Sequence, residues 1–220
     1  MNIYLVVEGE RATIKLYKSW ILFVNKNLRP IQYVQEFDHD SYYVLAGYGQ
    51  PGYWARVDHA IEDVNKIKEI DRLVICVDSE EKSYEEKLAE AKEHVERIKC
   101  RGEVRYIIQH FCQETWLIGN IHMFRKKPQD KELLKYLALF DVRTNDPELL
   151  TGNKENFWNR SQFAYHYFRA GIRDTCGNRE FYNSHDPGIA AKEGFFYQVR
   201  KRHLDKQHIS SFRTFLEAFT

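Results

Sequence analysis

Glu8 and Asp78 each stand where a short apolar run ends. Ile3-Tyr4-Leu5-Val6-Val7 stops at Glu8-Gly9-Glu10, and Leu73-Val74-Ile75-Cys76-Val77 stops at Asp78-Ser79-Glu80. Runs of this length and composition read as buried parallel strands, and the carboxyl edge of an open α/β sheet is where ligands and metals collect. Glu8, Asp78 and Glu80 meeting there would form a hard-oxygen donor set suited to Mg²⁺ or Mn²⁺. If the chain stays extended through Asp78-Ser79-Glu80, both acidic side chains point to one side and grip one cation. Gly9 gives the backbone a tight exit from the first strand. Each acid also has a plain structural role open to it. A glutamate favoured by a helix N-terminus fits Glu10 better than Glu8. Turn and N-cap chemistry suits Asp78 and Ser79, and Glu81 reads as a surface residue.

The order and strand context of these motifs resemble the TOPRIM domain, in which a strand ends in Glu-Gly and a later one in Asp-x-Asp or Asp-x-Glu. The matching residues are Glu8-Gly9 and Asp78-Ser79-Glu80, with Glu80 in place of the commoner second Asp. Phe111-Cys112-Gln113-Glu114-Thr115-Trp116-Leu117 is similar to the Phe-Glu-x-Trp-Leu segment of RloB-like TOPRIM proteins, although Cys112 and Gln113 intervene. The resemblance spans roughly residues 1–120. It implies a metal-dependent nuclease that hydrolyses phosphodiester bonds of DNA or RNA with Mg²⁺ or Mn²⁺. Glu8 would be a general acid or base or a metal ligand, Asp78 and Glu80 metal ligands, and Glu114 a further acidic ligand. Two ions about 4 Å apart would stabilise the attacking and leaving oxygens. Capping of a helix is the plain role for Glu114. RloB-like relatives often belong to anti-phage defence operons beside an ATPase, so the resemblance also implies an effector with a partner ATPase. A topoisomerase would need a tyrosine nucleophile on a separate module, and a primase a zinc-binding domain; neither fits in 220 residues.

Basic residues offer fewer signals. Lys192, after Asp186-Pro187-Gly188, is placed to reach the site and stabilise developing charge. Arg11 and Lys15, early in the first helix, either hold a phosphate or form a solvated face. Arg200-Lys201-Arg202-His203 suits phosphate contacts without base reading, or an ordinary basic patch. Among nine histidines only His110 closes a strand near the presumed site. Ser184-His185-Asp186-Pro187 looks like a triad fragment, but a triad is assembled in space and not in sequence. Gly47-Tyr48-Gly49 lacks the Lys-Ser/Thr of a phosphate loop, so the ATPase is not this chain. As a glycine loop feeding a helix it can still line the cleft and offer N–H groups to anions.

The chain accommodates one large domain or one with a sizeable appendage. Apolar residues make up 43% and aromatic residues 15% of it, enough for a Tyr- and Phe-rich core. No run approaches the roughly 18 apolar residues of a membrane span. A core strand at the N-terminus leaves no secretory signal, so a cytoplasmic protein is expected. Cys76, Cys100, Cys112 and Cys176 form no CxxC pair and read as reduced thiols. Residues 151–220 carry 11 Lys and Arg against 7 Asp and Glu, and the remainder 22 against 25. A basic segment after an acidic, site-bearing part fits a polyanionic substrate as well as it fits ordinary surface charge.

Holding the carboxylates falls to alternating strands and helices. The patterning predicts a strand over 3–7 and a helix over 11–25. Strands follow within 31–37 and 42–46, a loop over 47–52, and a helix over about 53–69 whose stripe is Trp54, Val57, Ile61, Val64 and Ile67. A strand over 72–77, a solvated Glu/Lys helix over about 83–99 and a strand over 104–108 come next. Such alternation means βαβ units and a mainly parallel sheet. Helical stretches are expected over 114–121, over 131–140 and from 156 onward, with breaks at Lys126-Lys127-Pro128, Asn145-Asp146-Pro147 and near 183–188. The predicted architecture is α/β: a Rossmann-like TOPRIM domain over 1–120 and a helical C-terminal extension over 121–220, packed on or beside it. Two other functions suit the same elements, a non-catalytic scaffold subunit and a phosphoryl-transfer enzyme acting on a small nucleotide. A homodimer is compatible with all three.

Overall fold

The computed structural model describes residues 1–49, 51–176 and 186–220. Ser184 and His185 of the triad-like fragment lie outside the described residues. In chain order the first half forms β1 (Ile3–Val7), α1 (Arg11–Val24), β2 (Arg29–Pro30), β3 (Ser41–Ala46), α2 (Tyr53–Lys66), β4 (Arg72–Asp78), α3 (Tyr84–Ile98) and β5 (Glu103–Gln109). The strands make one all-parallel sheet in the order β2-β3-β1-β4-β5. The architecture is the expected Rossmann-like α/β arrangement, with helices on both sheet faces and a helical C-terminal part.

Alternate residues of each strand feed two separate cores. Ile3, Leu5 and Val7 of β1, Val44 of β3, Val74 and Cys76 of β4 and Ile107 of β5 pack beneath α1, with Leu16, Tyr17, Trp20 and Ile21. Tyr4, Val6, Leu73, Ile75, Val77 and Ile108 point the other way, onto Val57, Ile61 and Val64 of α2 and Ala91 and Val95 of α3. Burial on both faces is why β1 and β4 read as unbroken apolar runs rather than alternating ones. Ser83 starts α3 with a capping box: its hydroxyl accepts from Glu86 N, and the Glu86 carboxylate accepts from Ser83 N at 2.8 Å.

The C-terminal part comprises α4 (Gln113–Leu117), α5 (Lys131–Leu139), α6 (Arg160–Cys176), α7 (Glu193–Lys206) and α8 (Phe212–Ala218). It completes the α1 side of the sheet. Trp20, 1% exposed, meets Phe196, Phe212 and Phe215 edge-on at centroid distances of 5.4–5.9 Å, and its indole N–H donates to Ala190 O at 2.8 Å. Arg72, at the start of β4, pairs with Glu103 and donates to Ala218 O, tying the chain end under the sheet. No helix among the described residues is long and apolar enough to cross a membrane.

The strand expected within 31–37 does not form. Arg29–Pro30 pairs with β3 and Ile31 N donates to Tyr42 O at 3.0 Å, but no strand continues beyond that, and Val34–Glu36 is a 3-10 turn. The Glu36 carboxylate accepts from the backbone N–H of Gln32 at 2.9 Å and of Tyr33 at 3.4 Å. That local capture takes the donors a strand would have offered to a neighbour.

The course of the chain fixes where a ligand site belongs. β1 and β4 are neighbours, yet the chain leaves β1 for α1 on one face and leaves β4 for α3 on the other. The two connections part above the sheet and leave a crevice at the carboxyl ends of β1 and β4, a topological switch point.

Candidate active site at the carboxyl edge of the sheet

That crevice is a cleft of about 340 Å³, and Glu8, Glu10, Asp78 and Glu114 all line it. Glu8 is the first residue beyond β1 and is half-buried. The Asp78 N–H donates to Glu8 Oε2 at 3.0 Å, which clamps the glutamate across the β1–β4 junction. Glu114 arrives from the first turn of α4. The rim opposite is the loop after β3, which keeps pairing alongside β1: Gly47 N donates to Val7 O at 2.7 Å and Gly49 N to Glu8 O at 2.8 Å. Tyr48 and Gly49 then turn through left-handed backbone, φ 59° and 72°, and both line the cleft. Gly47 has no room for a side chain, since a Cβ there would lie 2.8 Å from Val7 O. The glycine loop therefore borders the cleft, as its sequence suggests.

Like charge and burial dominate the electrostatics. Burial pushes the Asp78 carboxyl well above the usual carboxylate range, and the charges of Glu8, Glu114 and Glu80 push it further. Glu8 is also raised, first by burial; the Asp78 N–H opposes that shift, and Glu80 adds to it. Lys87 is the cation that opposes both shifts. Asp78 Oδ1 is buried with no hydrogen-bond partner. A carboxylate oxygen so placed is costly unless a proton or a cation meets it.

The donor chemistry fits Mg²⁺ or Mn²⁺. Every candidate ligand is a carboxylate oxygen, and Asp78 Oδ1 has no competing partner. Among the described residues, however, no group of three His, Cys, Asp or Glu side chains is drawn together tightly enough to hold an ion as it stands. The carboxylates share the cleft without converging on one point.

Glu80 departs from the extended geometry expected of Asp-x-Glu. The chain turns at Glu80, which has φ 52° and donates its N–H to Phe111 O at 2.8 Å. Its side chain is exposed and does not line the cleft, so it reaches Glu8 and Asp78 through its charge alone. Lys192 lies elsewhere, exposed on a separate cavity of about 370 Å³ with Met123, Ile172 and Phe195. Arg11 and Lys15 are exposed and do not line the cleft; Thr13, between them, does. His110 contacts Ser79 Oγ at 2.9 Å, and burial followed by the nearby Arg160 lowers its pKa. The basic run divides: Lys201 pairs with Asp205 at 2.8 Å, while Arg202, 5% exposed, donates to Gly119 O and Asn145 O. Arg202 is thus a structural clamp and not a phosphate contact. Glu81 is exposed and pairs with Arg160, as a surface residue should.

Several residues at or near the cleft escape the sequence reading, among them Glu10, Thr13 and Gln113 on its lining, and two of them, Lys87 and Gln109, matter most. Lys87 sits in a helix of alternating Glu and Lys, yet is 7% exposed. Its signal is position, because Lys87, Ala91 and Val95 form the buried i, i+4, i+8 stripe of α3. Gln109 is a polar residue closing the apolar Ile107-Ile108, and it pairs in register with Asp78. No family model matches this chain, and neither a curated protein nor a solved structure matches it.

Proposed function

We propose that this chain is a metal-dependent nuclease of TOPRIM type, hydrolysing phosphodiester bonds of DNA or RNA with Mg²⁺ or Mn²⁺. One observation carries the reading: carboxylates from three parts of the chain (Glu8 and Glu10 after β1, Asp78 on β4, Glu114 on α4) share a cleft at the switch point, and Asp78 Oδ1 is buried there without a partner. Asp78 and Glu114 are the ligands this arrangement offers, with Glu8 beside them. A bound ion would supply Lewis-acid polarisation of the phosphoryl oxygens and lower the pKa of a water. Glu8, clamped on the Asp78 N–H, is the group positioned to take or return a proton. The likeness to RloB-like proteins extends the reading to an anti-phage effector beside a partner ATPase. That extension rests on Glu8-Gly9, Asp78-Ser79-Glu80 and Phe111-Cys112-Gln113-Glu114-Thr115-Trp116-Leu117 alone.

The test is cleavage of labelled DNA and RNA in Mn²⁺, in Mg²⁺ or in EDTA. Metal-dependent cleavage is expected, falling by about 100-fold or more in Glu8→Gln and in Asp78→Asn. Cleavage that survives EDTA, or Asp78→Asn, refutes the reading, as does calorimetry that finds no Mn²⁺ binding. The size of the cleft, about 340 Å³, favours a second reading. It is at the small end of the roughly 300–1,000 Å³ usual for small-molecule sites, so a phosphate ester of nucleotide size would fill it. Turnover of mononucleotides without cleavage of polymers would select that substrate.

A further inference from the structure

Gln109 closes β5 opposite Asp78, lines the cleft and is 3% exposed. Its carboxamide is held from beneath. The Cys76 thiol donates to Gln109 Oε1 at 3.3 Å, and the Tyr17 hydroxyl lies 2.7 Å from the same sulfur. With the thiol hydrogen committed to Oε1, Tyr17 is the donor to sulfur, and all three groups agree on one polarity. Turning the amide over would face Oε1 toward the carboxylates that line the cleft, acceptor against acceptor. The acceptor half of Gln109 is therefore used in the core, while Nε2 is buried without a partner. An amide nitrogen only donates, so an acceptor is what that atom lacks.

We propose that Gln109 Nε2 is the anion-reading group of the cleft, donating to a non-bridging phosphoryl oxygen of a bound phosphate ester; this rests on the phosphodiester reading above. A site built from carboxylates attracts a cation and repels a phosphate. A lysine or arginine placed beside Asp78 would be captured by the carboxylates as an ion pair. A carboxamide is uncharged at every pH, and this one holds its oxygen on the Cys76 thiol, so it serves the substrate without neutralising the metal ligands.

The side-chain amide resonances of Gln109, identified as the pair missing from Gln109→Met, are followed by ¹⁵N–¹H correlation spectroscopy in Ca²⁺. The probes are a short single-stranded oligodeoxynucleotide and inorganic phosphate, with cleavage in Mn²⁺ measured in parallel. The pair is expected to move with the oligonucleotide, and Gln109→Met to bind it on the order of 10-fold more weakly, the loss of one charge-assisted hydrogen bond. Movement with phosphate alone upholds the donor and assigns it to a small phosphate ester. Movement without any cleavage upholds the donor and removes the nuclease reading. A wild-type protein that cleaves while the pair stays still overturns the inference and leaves the nuclease standing. Oligonucleotide binding undiminished in Gln109→Met, or a pair unmoved by either probe, also overturns it.

Discussion

Asp78→Asn should stabilise the metal-free protein at alkaline pH, although it removes a central residue of the site. Asp78 has a folded-state pKa raised by burial and by Glu8, Glu114 and Glu80. A raised pKa means that the folded chain binds the proton more tightly than the unfolded one. The stability this contributes is fully present below the unfolded carboxylate pKa of about 3.9 and is lost as pH climbs through the raised folded value. Each unit of elevation costs about 1.36 kcal/mol at pH values above both. In a chain of this length 1 kcal/mol moves Tm by roughly 2–4 °C, so each unit is worth roughly 3–5 °C. Asparagine mimics the protonated acid at every pH. The variant should therefore melt above metal-free wild type at pH 8, and the gap should be narrower at pH 5 and close only below about pH 4. Mn²⁺ at 100 times its Kd adds about 2.7 kcal/mol to the wild type, roughly 5–11 °C, and should add nothing to Asp78→Asn. Thermal melts at pH 5 and pH 8, with Mn²⁺ or with EDTA, measure all four quantities. A variant that melts below wild type by the same margin at both pH values would mean that Asp78 is held by favourable contacts, and the account of a repelled, cation-seeking carboxylate would fall.

Three further outcomes follow from the packing and the charges. Trp20→Ala should cost about 3–5 kcal/mol by urea unfolding, because the indole is buried among Phe196, Phe212 and Phe215 and bonded to Ala190 O. Cys76→Ala should cost on the order of 2–4 kcal/mol, since Tyr17 and Gln109 Oε1 lose their shared partner. Cys76→Ser should recover at least half of that loss, and an alanine variant as stable as wild type would refute the network. Lys87→Met should destabilise the metal-free protein more at pH 8 than at pH 5, by on the order of 1 kcal/mol, because the carboxylates that Lys87 offsets carry less charge in acid. Equal losses at the two pH values would show that Lys87 acts on packing alone.

The strand–helix alternation was legible from short-range pattern, and so were Glu8 and Asp78 among the four acids that line the cleft. An acid that terminates five apolar residues has few structural excuses, and parallel neighbours bring two such ends together. Glu114 lies in a five-residue helix beyond β5, and only the Trp-Leu motif after it marked it out. What pattern missed was decided by single atoms. Ile31, Tyr33 and Phe37 alternate as a strand would, but the carboxylate of Glu36 folds the segment on itself. Glu80 fails to align with Asp78 because one residue takes a left-handed turn. Lys87 was hidden by its company, a buried cation in a run of solvated ones. Lys192 and Arg202 carry the right charge, but packing gave them other places.

The C-terminal helices that finish the α1 side of the sheet set a schedule for synthesis. Ile107 of β5 and the Trp20 side of α1 stay uncovered until α7 and α8 arrive, about 100 residues after β5 ends. A ribosome adding about 5–20 residues per second needs roughly 5–20 s for that stretch. Throughout, the nascent chain presents a finished parallel sheet with one greasy flank and the carboxylate edge already formed. A chain released near residue 120 would keep that flank permanently and should aggregate.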